Sequence, residues 1–161
     1  MTKVLVAYFS RSGTTEELAH QLAARLSAEI DVIRLPSPAY AGVVGYWRGI
    51  WHALSHHLPD VACQRDPSDY ALLVFGSPVW AGRLSAPVRA YLTRFAGHIG
   101  PIAAFWVSGS GLAYPALARE IEELTGRVPL ATSSFSRREV LEGATGDKLD
   151  VLARDIRAHV S

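Results

Sequence analysis

The sequence predicts an α/β protein in which helices cover both faces of a five-stranded parallel sheet, a three-layer sandwich. Five short apolar segments recur along the chain, at residues 4–9, 30–35, 71–76, 102–107 and 128–135. The first, third and fourth are almost uninterrupted apolar sequence, as strands buried on both faces are. Segments with apolar residues at helical spacing separate the five strands, and this alternation is typical of a parallel sheet.

The second and fifth apolar segments have the features of edge strands. Asp31 and Arg34 interrupt the second segment with charged residues, and Pro129 removes a hydrogen-bond donor from the fifth. We therefore expect these two strands at the edges of the sheet.

Helices are predicted at residues 15–27, 45–57, from 85 onward, 114–124 and 146–160. Thr14 followed by Glu17 matches a capping box for the first helix. Ser85 is the predicted N-cap of the third helix, with a proline in its first turn. The second helix carries Trp47 and Trp51 on one face, which forms either part of the core or a cover over a ligand.

Length and composition limit the class of protein. The chain has 161 residues, 49% hydrophobic and 19% charged, which suits one folded domain over residues 1–161. No apolar run approaches the roughly 20 residues of a membrane span, and the first nine residues lack the features of a secretory signal. We therefore expect a cytoplasmic protein. The net charge of +1 gives no basic footprint for nucleic acid. Cys63 is the only cysteine, so the chain cannot form an internal disulfide.

Three polar loops follow the first, third and fourth predicted strands. They read Ser-Arg-Ser-Gly-Thr-Thr at 10–15, Ser-Pro-Val-Trp-Ala-Gly at 77–82 and Ser-Gly-Ser-Gly at 108–111. Ligands of open parallel sheets bind beyond the carboxyl ends of the strands, where the strand order reverses. A strand order of 2-1-3-4-5 brings these three loops side by side.

The first loop predicts an anion site. A loop that enters a helix N-terminus presents unpaired backbone N–H groups and the positive end of the helix dipole. Its four hydroxyls add donors, and Gly13 lets the backbone approach an anion closely. The loop has neither the Walker ending nor the dinucleotide fingerprint. The alternative is a Ser/Thr-rich turn in which Thr14 caps the helix.

The other two loops offer contacts for a flat ring. Trp80 has a large planar face suited to stacking, Tyr114 is a second ring contact, and the glycines permit close backbone approach. The alternatives are that Trp80 packs on the next helix and that 108–111 is an ordinary Gly/Ser turn. A phosphate site beside ring-binding loops indicates flavin mononucleotide (FMN).

These motifs resemble those of the flavodoxin family, and the resemblance covers essentially the whole chain. Residues 10–15 are similar to the family's phosphate motif Ser/Thr-x-Ser/Thr-Gly-x-Thr, and residues 77–82 to the Thr/Ser-Pro-x-Trp-x-Gly form of flavodoxin-like oxidoreductases. The resemblance implies a flavodoxin-like sandwich with FMN held by all three loops. The implied cofactor-binding residues are Ser10, Arg11, Ser12, Gly13, Thr14, Thr15, Ser77, Pro78, Val79, Trp80, Ala81, Gly82, Ser108, Gly109, Ser110 and Gly111.

Two functions follow from this interpretation. The protein either passes electrons to a redox partner protein or acts as an NAD(P)H-dependent flavin or quinone oxidoreductase. Electron-shuttle flavodoxins are typically strongly acidic, whereas residues 70–119 of this chain include no Asp or Glu. Arg83 lies just beyond the second loop, and a positive rim there favours an anionic partner such as a pyridine nucleotide or an acidic protein. The alternative is that the arginines lie on a solvated helix surface, which we expect for Arg89 and Arg94.

Other classes have less support from the sequence. His52 and His56 are four residues apart, a spacing that can bind metal, but no third ligand is evident. The chain has neither a Cys-x5-Arg loop nor a Gly-x-Ser-x-Gly elbow, which disfavours a phosphatase or a hydrolase. An interaction module that has lost FMN is disfavoured by the intact phosphate loop. The sequence predicts no oligomeric state.

Overall fold

A computed structural model describes residues 2–35 and 60–160. The predicted helix at 45–57, with Trp47 and Trp51, lies outside the described residues. So do His52 and His56, the two histidines at metal-binding spacing.

Six strands of the described residues form one sheet. The parallel strands are β1 (Val4–Tyr8), β2 (Glu29–Val32), β3 (Leu72–Trp80), β5 (Ile102–Ser108) and β6 (Thr132–Ser136), in the order β2-β1-β3-β5-β6. The two-residue strand β4 (Arg83–Leu84) pairs antiparallel with the end of β3. The predicted order 2-1-3-4-5 is therefore confirmed, with β5 and β6 as the fourth and fifth parallel strands.

The described helices lie in the predicted places, with one addition. They are α1 (Thr14–Leu26), α2 (Ala86–Phe95), α3 (Pro115–Thr125), α4 (Arg137–Leu141) and α5 (Gly146–Val160). The sequence did not predict the five-residue helix α4, because it is too short to show a helical period. The fifth strand begins at Thr132 rather than at residue 128, so Pro129 precedes it and needs no place in the ladder.

The helices form a layer on each face of the sheet. Successive residues of a strand point to opposite faces. Leu73 and Phe75 of β3 pack in the cluster that includes buried residues of α2 and α3, whereas Leu72 and Val74 pack in the cluster that includes buried residues of α1 and α5. The predicted three-layer sandwich is thus confirmed.

One of the two predicted helix N-caps is confirmed in position, and the other is wrong. Gly13, which has no side chain, occupies the N-cap position of α1, so the predicted Thr14–Glu17 capping box is wrong. Ser85 is the N-cap residue of α2 but makes no side-chain cap. Its hydroxyl lies 3.0 Å from Ser77 Oγ and joins the start of α2 to β3.

Candidate functional site

The three predicted loops meet at one edge of the sheet because β1, β3 and β5 are neighbours. Tyr8 pairs in register with Gly76, and Pro78 pairs with Val107. The Phe9 N–H donates to the Gly76 carbonyl at 3.2 Å, which continues the ladder to the first loop. The carboxyl ends of the strands therefore place all three loops at the topological switch point.

The first loop has the geometry of an anion cradle. Gly13 has a φ of +93°, and its N–H donates to Ser10 Oγ at 3.0 Å. Ser12 Oγ and Thr14 Oγ1 lie 3.5 Å apart. The Glu17 N–H donates to the Gly13 carbonyl and begins the helical ladder. The N–H groups of residues 14–16 precede this first helical bond, and first-turn amides of a helix have no acceptor within it, so they are donors for an anion.

The space next to Gly13 in this loop is open. A Cβ built on Gly13 would meet nothing within 4 Å. Arg11 and Ser12 are exposed, while Thr14 and Thr15 are buried in the first turn of α1. Backbone N–H donors, hydroxyls and the helix dipole are the groups that bind phosphates at helix N-termini.

A tyrosine and a carboxylate lie beside the cradle. The Tyr8 hydroxyl donates to Glu16 Oε1 at 3.2 Å, from the end of β1 to the first turn of α1. Burial, and then the negative charge of Glu16, raise the pKa of Tyr8 to about 12. The phenol therefore remains neutral at physiological pH and keeps donating to Glu16.

The second loop is a β-hairpin. β3 continues to Trp80, where Val79 pairs with Leu84 and Trp80 with Arg83. The two central residues have positive φ, +50° at Ala81 and +74° at Gly82, as a two-residue type I′ turn requires. The predicted end of the third strand at residue 76 was therefore too early, because Ser77 and Pro78 are typical of loops.

Trp80 is part of the core as well as of the hairpin. Its residue surface is 8% exposed, and its ring packs edge-to-face on Phe9 with 5.6 Å between ring centroids. Pro78 and Val79 are less buried than Trp80. The contact with Phe9 joins the hairpin to the start of the first loop, and stacking of Trp80 on a ligand stays a prediction.

The third loop is held by hydroxyl groups. The Gly111 N–H donates to Ser108 Oγ at 2.8 Å, and Ser110 Oγ lies 3.1 Å from the Tyr114 hydroxyl. Ser134 Oγ of β6 donates to the Leu112 carbonyl at 2.5 Å and lies 3.4 Å from the Gly111 carbonyl. The sequence did not predict this role of Ser134, because no motif links β6 to the loop. Exposed Gly109 and Ser110 lie at the solvent side of the site.

Two arginines near the second loop, Arg83 and Arg89, lie close to a carboxylate that the sequence did not predict as their partner. One Arg83 guanidinium nitrogen lies 3.2 Å from Glu120 Oε1, and Arg89 Nε lies 3.8 Å from the same oxygen. Arg89 is only 1% exposed, so its expected place on a solvated helix surface was wrong, whereas Arg94 is exposed. The predicted positive rim therefore includes an anion, supplied by the residue that directly follows the acid-free stretch.

Residues 2–35 and 60–160 include neither a candidate metal site nor a candidate membrane span. Within them, no group of three His, Cys, Asp or Glu side chains could hold a metal ion. No helix of these residues has the length and apolarity to cross a membrane. Cys63 is a partly buried free thiol whose pKa is raised by burial, so it is a weaker nucleophile than an exposed thiol.

Fold and site together define a doubly wound α/β protein with an anion cradle and two further loops at its switch point. The chain belongs to the flavodoxin family, whose sequence model matches residues 3–134.

Comparison with known proteins gives relatives of two kinds. Over 104 residues the chain is 36% identical to the NAD(P)H dehydrogenase (quinone) of Cupriavidus metallidurans CH34, a match that covers 60% of this chain and 48% of the dehydrogenase. The match thus spans about half the length of that relative.

The related solved structures share the fold. A flavoprotein of Lactobacillus acidophilus NCFM, crystallised in complex with FMN, has a TM-score of 0.72 and 21% identity, covering 93% of this chain and 99% of that one. The flavodoxin, WrbA-like protein of Agrobacterium tumefaciens has a TM-score of 0.57 and 14% identity, covering 99% of both chains.

Proposed function

We propose that this flavodoxin-family protein binds FMN across its three loops and uses it to transfer electrons. The observation that carries the proposal is the first loop, where an open glycine, hydroxyls and the amides of a helix N-terminus converge. Membership of the flavodoxin family supports FMN as the cofactor. The FMN complex of the Lactobacillus flavoprotein, which has the same fold, supports it further.

Each loop would hold a different part of FMN. Ser10, Ser12, Gly13, Thr14 and Thr15 bind the phosphate, with Arg11 beside them. The second loop, formed by Ser77, Pro78, Val79, Trp80, Ala81 and Gly82, would contact the isoalloxazine ring. The third loop, formed by Ser108, Gly109, Ser110 and Gly111, would flank the same ring.

The chemistry belongs to the cofactor, which takes up and releases one or two electrons when bound. The chain binds and orients FMN and tunes it through nearby charges and hydrogen bonds. The Phe9–Trp80 contact and the Ser77–Ser85 hydroxyl pair hold the ring-binding hairpin on the rigid end of the sheet.

The electron donor and acceptor define two candidate functions. The main one is an electron carrier for a redox partner protein, supported by the flavodoxin-type phosphate loop. The alternative is an NAD(P)H-dependent flavin or quinone oxidoreductase, supported by the Cupriavidus dehydrogenase. A single cysteine suits a reducing compartment, and we propose the cytoplasm as the location.

A turnover assay separates the two functions. The FMN-loaded protein is mixed with NADPH or NADH and a soluble quinone, and oxidation of the nicotinamide is followed by absorbance. Free FMN at the same concentration is the control. A carrier oxidises little NAD(P)H until a separate flavin reductase is added. Steady turnover above the free-FMN rate without that reductase would replace the carrier function by the oxidoreductase.

A further inference from the structure

Glu120 lies where α3, β4 and α2 meet. Its side chain is 10% exposed, and its two carboxylate oxygens have different partners. Oε2 accepts a hydrogen bond from the Leu84 N–H at 3.2 Å. Oε1 lies 3.2 Å from an Arg83 guanidinium nitrogen and 3.8 Å from Arg89 Nε. One carboxylate thus joins three elements on the same face of the sheet.

Two of these contacts, with Arg83 and Leu84, lie on one arm of the hairpin at residues 79–84. Arg83 and Leu84 pair with Trp80 and Val79, so a contact that fixes β4 also fixes the end of β3. The turn includes Ala81 at a φ of +50°, a conformation unfavourable for residues with a Cβ. Such a turn persists only where surrounding contacts over-determine it, and Glu120 supplies contacts of that kind.

Burial strengthens the contacts that Glu120 makes with the two arginines. The side chain of Arg89 is 2% exposed and that of Arg83 is 26% exposed. Charged hydrogen bonds are stronger in a low-dielectric interior than in water. Removing one partner of a buried ion pair also removes an opposite charge that offsets the desolvation cost of the other partner. Loss of the carboxylate therefore releases β4 and disturbs the packing below it.

We propose that Glu120 is a positioning residue for the isoalloxazine ring, acting by fixing the hairpin that presents Pro78 and Val79. The inference rests on the proposed function, in which this hairpin contacts the ring. Glu120 acts through the hairpin and does not touch the cofactor. Loss of the Glu120 side chain therefore weakens contacts to the ring. It leaves the proposed phosphate site intact, because that site lies in the first loop, between β1 and α1.

The test compares Glu120→Ala and Glu120→Gln with a control, Glu123→Gln. Glu123 is exposed, lies three residues further along α3 and lines the same open cavity of about 360 Å³ as Glu120. Glu123→Gln therefore makes the same change of charge as Glu120→Gln without loosening β4. The dissociation constants of FMN and of riboflavin, which has the ring but no phosphate, are measured by fluorescence titration. Hydrogen exchange at the Leu84 amide is measured in the FMN-free protein.

We expect Glu120→Ala to weaken FMN and riboflavin binding by the same factor, about tenfold, and to speed exchange at Leu84. Glu120→Gln keeps an acceptor for the Leu84 N–H, so it weakens the binding of both flavins less than Glu120→Ala does. We expect its dissociation constants for both flavins to exceed those of Glu123→Gln by about threefold. A change in unfolding free energy alone would not alter these affinities in a folded protein.

Equal flavin affinities of Glu120→Gln and Glu123→Gln would overturn the inference, whether or not Glu120→Ala folds. A loss confined to FMN, with riboflavin binding unchanged, would also overturn it, because the effect would then lie at the phosphate. Failure of the wild-type protein to bind either flavin would overturn the proposed function, and this inference with it.

Discussion

Gly13 determines how closely a ligand can approach the first loop. Its φ of +93° lies in the left-handed region, which glycine adopts without strain. A Cβ there would meet nothing within 4 Å, so the space above the residue is open. The same residue begins the helical ladder of α1 by accepting from the Glu17 N–H. A side chain placed here enters the proposed phosphate position rather than the core.

The change Gly13→Asp tests this assignment, with Gly13→Asn as the matched control. Asp and Asn have nearly the same size, and both are enriched at positive φ. Only Asp adds a negative charge against the phosphate, so we expect Gly13→Asp to bind FMN at least about tenfold more weakly than Gly13→Asn. Riboflavin affinity should be equal in the two variants. Equal FMN affinities, measured by fluorescence titration, would mean that the phosphate lies elsewhere.

Some features of the site could be predicted from the sequence alone, and others could not. The position of the hydroxyls and glycine at 10–15 at a helix N-terminus could be predicted, because strand, loop and helix are contiguous in the chain. Binding of a phosphate by this loop stays a prediction. The partners of Arg83 and Arg89 could not be predicted in this way, because Glu120 is 31 or more residues away in the sequence. Such pairs depend on the packing of α3 against β4 and α2.

At the scale of elements, a capping box joins β6, α4 and α5. Ser136 Oγ accepts from the Glu139 N–H at 3.0 Å, and Glu139 Oε2 accepts from the Ser136 N–H at 2.7 Å. Lys148 Nζ of α5 lies 2.7 Å from Glu139 Oε1. The Lys148 hydrogen bond, followed by the Ser136 backbone N–H, lowers the pKa of Glu139. The carboxylate form therefore stabilises this junction of three elements.

The lowered pKa predicts a pH dependence of stability. The stabilisation is complete above the ordinary glutamate pKa of 4.5 and is lost as the pH falls through the lower folded-state value. We expect the advantage of the wild type over Glu139→Gln, in free energy of unfolding, to shrink from about pH 6 to about pH 3. Glu142→Gln is the control, because Glu142 pairs with Arg138 at an exposed site. Urea unfolding measures the free energy of unfolding of the wild type and of both variants. A difference between the wild type and Glu139→Gln that stays constant over this pH range would contradict the stabilising role of the Glu139 carboxylate.

The elements differ in how well the sequence predicted them. β1, β3 and β5 were evident because strands buried on both faces are continuous apolar runs. The extension of β3 to Trp80 and its pairing with β4 were not predicted, because Ser77, Pro78 and Gly82 are typical of a loop. The pairing of Val79 with Leu84 and of Trp80 with Arg83 distinguishes a hairpin from such a loop.

At the scale of the molecule, strand order makes the site. The loops at 10–15, 77–82 and 108–111 are far apart in sequence and meet because β1, β3 and β5 are neighbours. The two helix layers bury the sheet between them and leave its carboxyl edge for the loops. Membership of the flavodoxin family agrees with this arrangement. We therefore expect FMN to bind at this edge of the sheet.

An absorbance spectrum tests that claim most directly. The purified protein is mixed with excess FMN, the free cofactor is removed by gel filtration, and the flavin bands are recorded for the protein fraction. We expect about one FMN for each chain, as one site predicts, with bands shifted from those of free FMN. A colourless protein after this treatment would leave the fold unchanged and contradict the proposed function.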